Sequence, residues 1–171
     1  MNDFLETKIA KTTLKGVYKI VPGKFKDNRG AYIETYNKYF LEKNKININF
    51  IQDDISISKK NVLRGLHGDF KTWKLVSCLL GKFYLIVVNN IKSSKQFRKW
   101  EKFILTENNR IQILIPPGFG NGHYALEKKI IFFYKQSTYY DFKSQFTIKW
   151  DDKNFNFKWP KGKKILSNRD K

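Results

Sequence analysis

The stretch NVLRGLHGDFKTWKL, residues 61–75, contains one of only two histidines in a chain of 171 residues. Arg64, His67 and Lys74 stand close together there, among apolar neighbours that belong in a core. Desolvating cationic side chains is costly unless they serve a purpose. A histidine can act as a general base near neutral pH, and a lysine supplies fixed positive charge where an oxygen gains negative charge. Tyrosines recur late in the chain at Tyr134, Tyr139 and Tyr140, and Asp170 near the C-terminus could orient an imidazole. Base, cation and phenol suffice to take a proton from a carbon beside a carbonyl and to return it. If the phenol stands on the opposite face of that carbon, the stereocentre inverts. Such chemistry needs no cofactor, and the chain carries no cofactor motif. The competing reading is a satisfied structural histidine, which is commoner for a lone His among apolar residues.

Other chemistries have less support. A metal centre needs three or four clustered N, O or S ligands, yet the two histidines are 56 positions apart and no H-x-H pair occurs. The cluster GFGNGH (118–123) has G-x-G-x-G spacing between strands, with no helix N-terminus to hold a phosphate. Its glycines suit a close backbone approach to a ligand or a barrel corner. Cys78, the single cysteine, sits in KLVSCLLG and reads as a buried, inert thiol of a reducing compartment. Net charge is +19, but the lysines are scattered and the densest group, KWPKGKK (158–164), holds four. With no basic helix or reader motif, nucleic acid is not expected as the ligand.

The elements that must position these residues are short strands. GVYKIVPGKF (16–25) opens the series, DNRG (27–30) turns, and AYIETY (31–36) alternates as a half-buried strand. NKYFLEKNKI (37–46) is the one short helix, and INFIQDDISIS (48–58) alternates again. LVSCLLGKFYLIVVNN (75–90) reads as a hairpin split at Gly81, its second strand buried on both faces. KWEKFILTENNRIQILIPPG (99–118) and GHYALEKKIIFFYKQSTYY (122–140) read as two more hairpins, turning at ENN and EKK. FTIKWDD (146–152) is a last strand, followed by an irregular tail. The pattern predicts one all-β domain over 1–171, a jelly-roll barrel or sandwich with little helix. No apolar run approaches a membrane span and the N-terminus has no signal-peptide pattern, so a soluble, cytoplasmic protein is expected.

FKDNRGAYIETY, FIQDDISISKKNVLRGLH, RIQILIPPGFGNGHYAL, YKQSTYY and WPKGKKILSNRD fall in the order and nearly the spacing of the dTDP-4-dehydrorhamnose 3,5-epimerase family, which the chain resembles over essentially its whole length. The resemblance implies a cupin-like jelly roll, usually a homodimer that exchanges N-terminal strands. It implies action without metal or cofactor on a nucleotide-linked 4-keto-6-deoxy sugar. By position, His67 resembles the base, Asp170 its carboxylate partner, Lys74 the enolate-stabilising lysine and Tyr134 the opposing acid. Arg29, Glu34, Gln52, Arg64 and Arg169 match positions that contact sugar, pyrophosphate or base, and Tyr140 one that lines the sugar pocket. The sequence also departs from the common pattern. Gly68 and Asp69 follow R-G-L-H, Asn121 takes the place of a histidine, His123 that of an aromatic, and Gln145 that of a glutamate. These variants resemble a branch acting on GDP-linked heptoses, so dTDP and GDP both stand as expectations. The substrate difference is expected in Gly68–Trp73. A 3,4-ketoisomerase and a non-catalytic sugar-nucleotide binder are the alternatives on the same fold.

Overall fold

The computed structural model describes residues 3–171, so Met1 and Asn2 of the N-terminal segment read above lie outside the described residues. The strands are β1 (Asp3–Leu5), β2 (Lys8–Lys11), β3 (Tyr18–Val21), β4 (Lys24–Asp27), β5 (Gly30–Ile33), β6 (Gln52–Lys59), β7 (Leu63–Gly68), β8 (Lys74–Leu80), β9 (Lys82–Asn89), β10 (Trp100–Thr106), β11 (Gln112–Ile115), β12 (Phe119–Ala125), β13 (Lys129–Gln136) and β14 (Phe146–Thr147). The one α-helix among the described residues, α1 (Lys38–Lys43), is capped by the Asn37 side chain, which accepts from Phe40 N. Two antiparallel sheets face each other, one in the order β10-β9-β12-β7-β14 and the other β2-β3-β11-β8-β13-β6. This is the expected cupin-like jelly roll. A third, three-stranded sheet, β1-β4-β5, pairs with neither among the described residues.

The three expected hairpins are corrected by this topology. β8 and β9 flank Gly81 but lie in different sheets, and so do β10 and β11, and β12 and β13. At Gly81 (φ +74°) an added Cβ would stand 2.5 Å from Lys129 O, so the chain turns a corner there against another strand. Strands apolar on both sides carry no alternation to say which sheet claims them. β9 is nonetheless buried on both faces, as expected. Phe83, Leu85 and Val87 enter the core between the sheets, while Tyr84, Ile86 and Val88 lie under Phe155, Phe157 and Trp159 of the tail. On the six-stranded sheet, α1 covers Ile20, Leu75 and Leu114 with Leu41. Cys78 is buried as expected, and burial pushes its thiol up to about 12.

A bulge in β7 decides the site. In a regular strand, residues three apart point to opposite faces. Opposite β12, however, the step from His67 to Arg64 spans three residues against two from Asn121 to His123. The extra residue restores the phase, so Arg64 and His67 both face the cleft while Leu63 and Leu66 enter the core behind. Gly65 permits this with φ +105°, and a Cβ there would meet Asn121 O and Gly122 Cα at 2.6 Å. Gly65→Ala is therefore expected to cost about 2 kcal/mol or more, lowering the thermal midpoint by about 5 °C. An unshifted melt in calorimetry would contradict the packing described.

Candidate active site

Between the two sheets opens a cleft of about 450 Å³. His67, on β7, lies in one sheet; Lys74 on β8 and Tyr134 on β13 lie in the other, and all three line the cleft. A substrate held between the sheets would thus have imidazole and phenol on opposite sides.

Asp170 arrives from the far end of the chain. Ile165 pairs with Val62 in a parallel bridge, which lays the tail along the start of β7. Asp170 Oδ1 then stands 2.7 Å from His67 Nε2, an ion-pair distance, although the oxygen lies off the N–H axis. Its Oδ2 accepts from Ser167 Oγ at 2.7 Å, and Oδ1 also accepts from Gly65 N at 3.4 Å. Burial raises the carboxyl pKa, but the nearby His67 ring and the bond from Ser167 outweigh it and hold Asp170 below its ordinary value. A carboxylate on one ring nitrogen leaves the other free to accept a proton. Because the folded pKa is depressed, the stabilisation is present above the unfolded value, near 4, and is lost as pH falls through the folded one. Asp170→Asn is expected to flatten this acid limb, read as thermal midpoint against pH between about 5 and 2.

Lys74 is 8% exposed, and among the described residues no carboxylate lies within the 4.0 Å of an ion pair with it. Burial lowers its pKa, Asp69 opposes this and Arg169 adds to it. Tyr134 is pushed up to about 12, first by burial and then by Asp54 and Tyr140, so the phenol keeps its proton across the working pH range.

The other expected residues divide. Gln52, Arg64, Asn121, His123, Tyr140, Gln145 and Arg169 line the cleft. Gln52 accepts from Tyr140 N at 2.8 Å and so ties the rim to β6, while Arg169 donates to Gln145 at 3.0 Å and lies 4.5 Å over the Phe142 ring. Arg29 and Glu34 do not reach the cleft of their own chain. Arg29 caps the β4–β5 turn and pairs with Asp27 at 2.6 Å, and Glu34 accepts from Asn37 beside a separate small recess. Both follow the three-stranded sheet, which no strand pairing among the described residues ties to the barrel.

One further expectation is corrected. Gly68–Trp73 does not line the cleft, because Asp69 folds the segment into a turn by accepting from Lys71 N and Thr72 N. The glycines of GFGNGH serve the corner and close strand packing: Gly118 (φ +81°) stands between β11 and β12, which lie in different sheets, while a Cβ on Gly122 would meet Arg64 O at 2.9 Å and one on Gly120 the Phe146 ring at 3.2 Å. Asp54, Ser56 and Ser167 also line the cleft and were not anticipated. The signal lay in QDDISIS, whose polar positions 52, 54 and 56 share one face. That face turns inward, while Ile55 and Ile57 are 58% and 53% exposed.

An imidazole held by a carboxylate, opposed across a cleft by a protonated phenol and flanked by a buried ammonium, marks an enzyme that moves protons at carbon: an isomerase of the epimerase type. The comparisons agree. A family model described as dTDP-4-dehydrorhamnose 3,5-epimerase matches residues 11–171. A curated protein of that name from Shigella flexneri is 36% identical over 95% of this chain and 92% of its own. A crystal structure of the Bacillus anthracis dTDP-4-dehydrorhamnose 3,5-epimerase with TDP and pyrophosphate bound superposes with a TM-score of 0.93 at 32% identity, covering 96% and 97% of the two chains. A Legionella pneumophila dTDP-6-deoxy-D-glucose-3,5-epimerase in complex with dTDP-4-keto-L-rhamnose gives 0.91 at 35%, covering 96% and 90%. The chain belongs to the dTDP-4-dehydrorhamnose 3,5-epimerase family. Among the described residues, no helix is long and apolar enough to cross a membrane, and no three His, Cys, Asp or Glu residues are grouped to hold a metal.

Proposed function

We propose that this protein epimerises a dTDP-linked 4-keto-6-deoxy sugar by removing and returning a proton next to the keto group. The pairing of His67 with Asp170 across the cleft from Tyr134 carries the reading. His67 takes the proton from C3, the electron pair moves onto the C4 oxygen beside the Lys74 ammonium, and Tyr134 gives its phenolic proton to the opposite face of the carbon. Atoms balance when Tyr134 recovers a proton and His67 releases one. Neither step calls on another reactant. The dTDP choice follows the relatives, whose names give no support to GDP. The test is incubation in deuterated water with dTDP-4-keto-L-rhamnose. Deuterium at C3 alone would indicate one centre, and deuterium at C3 and C5 two; a relative from Streptomyces niveus, 27% identical, is named a 3-epimerase. Absence of label would overturn the reading. A carbonyl found by NMR to have moved to C3 would make the enzyme a ketoisomerase, and binding without exchange would make it a sugar-nucleotide carrier.

Tyr134→Phe is expected to fold normally, losing only one hydroxyl, and to slow exchange about 10²-fold. An unchanged rate would reassign the acid.

The same reading makes the protein a cytoplasmic homodimer. Arg29 and Glu34 lie outside their own cleft, and β6, a sheet edge, presents exposed Ile55 and Ile57. A second copy would cover that strip and bring its N-terminal sheet to this cleft. Sedimentation equilibrium showing a monomer at micromolar concentration would refute this.

A further inference from the structure

Besides His67 Nε2, which faces Asp170, three buried polar atoms on the cleft wall have no hydrogen-bond partner among the described residues: Ser56 Oγ, Asn121 Oδ1 and His123 Nε2. Unpaired buried polar atoms cost stability, and groups kept in that state at a cleft await a ligand. His123 is the sharpest case. It is 3% exposed and lies flat on Phe132, with ring centroids 4.3 Å apart and planes 14° apart. Phe83 flanks it at 5.5 Å, so the ring has a fixed place. Arg64, His67 and Asp170 are the charged or titratable groups that act on it. Burial and Arg64 push its pKa down to about 3 against the pull of Asp170. It therefore stays a neutral imidazole, carrying one N–H and no charge, and it cannot share the proton-transfer role of His67.

The chemistry of the set narrows what it binds. Asn121 Oδ1 can only accept, so its partner must carry a hydrogen. His123, two residues along β12 on the same face, can donate to that same partner. A ketone or an ionised phosphate oxygen satisfies the second contact but not the first. A hydroxyl satisfies both, and Ser56 can take either role. We propose that His123, with Asn121 and Ser56, is a positioning and specificity site that grips one ring hydroxyl of the sugar, separate from the residues that move the proton. This rests on the epimerase reading. In a 4-keto-6-deoxy sugar linked through C1, the free ring hydroxyls are those at C2 and C3.

The test compares wild type and His123→Phe, which keeps an aromatic ring on Phe132, by deuterium exchange into dTDP-4-keto-L-rhamnose and its 2-deoxy and 3-deoxy counterparts. The full sugar should show KM raised about ten- to hundredfold, with the loss falling in KM and not in kcat. With one of the two deoxy sugars, the two proteins should show the same KM. The shape of the pH–rate profile should not change, since His123 does not titrate in that range. An unaltered KM for the full sugar, or an equal rise with both deoxy sugars, would overturn the proposal. Asn121→Leu is expected to give the same pattern, and it decides the matter should His123→Phe fail to fold. No exchange by wild type with any of the three would bring down the epimerase reading itself, a result distinct from normal exchange indifferent to position 123.

Discussion

His67→Asn is expected to reduce deuterium exchange into the sugar by about 10²–10⁴-fold, the usual contribution of a positioned general base. The side chain sits between Asp170 and the cleft, and the groups left on that wall are poor bases: the Asp170 carboxyl is buried behind it and held below its ordinary value, His123 is pushed down to about 3, and the Arg64 guanidinium offers no acceptor. The fold should survive. Asp170 keeps its bonds from Ser167 and Gly65, and the introduced amide can still donate to it. Sugar-nucleotide affinity should change little, so the loss belongs to kcat. Exchange at the wild-type rate, measured by NMR, would assign the base elsewhere.

Lys74→Met is expected to move activity and stability in opposite directions. Exchange should fall about 10²–10³-fold, the scale for losing one group that stabilises a developing oxyanion in a water-poor site. The thermal midpoint should hold or rise, because a buried ammonium without a carboxylate partner gives way to an apolar chain of similar length. Opposed signs of this kind mark a residue kept for chemistry at the expense of stability. A variant that loses both together would show Lys74 to be a structural cation.

Much of this was legible because residue type carries it. The positions of the strands, the helix at 37–46, the double burial of β9 and the inert Cys78 follow from composition and periodicity, which are local. The set His67, Lys74, Tyr134 and Asp170 could be named because few residue types can move a proton beside a carbonyl, and the chain has little histidine to choose from. Other features were not legible, for a physical reason. QDDISIS alternates cleanly, but alternation does not say which face is inside, and here the cleft takes the polar face. The three hairpins failed because two adjacent apolar strands pair equally well with each other or with distant partners.

By itself, then, the sequence determined the chemistry available and the short strands that bear it. Only the tertiary structure decided how these meet. It sent the strands on either side of residues 69–73, β7 and β8, into opposite sheets, which separates His67 from Lys74 and Tyr134 across a cleft. It inserted one extra residue at Gly65, so that Arg64 and His67 share a face that regular pleating would deny them. It also folded the tail along β7 to bring Asp170 within 2.7 Å of His67. These are long-range contacts, set by which surfaces bury each other once the chain closes, and no local pattern encodes them.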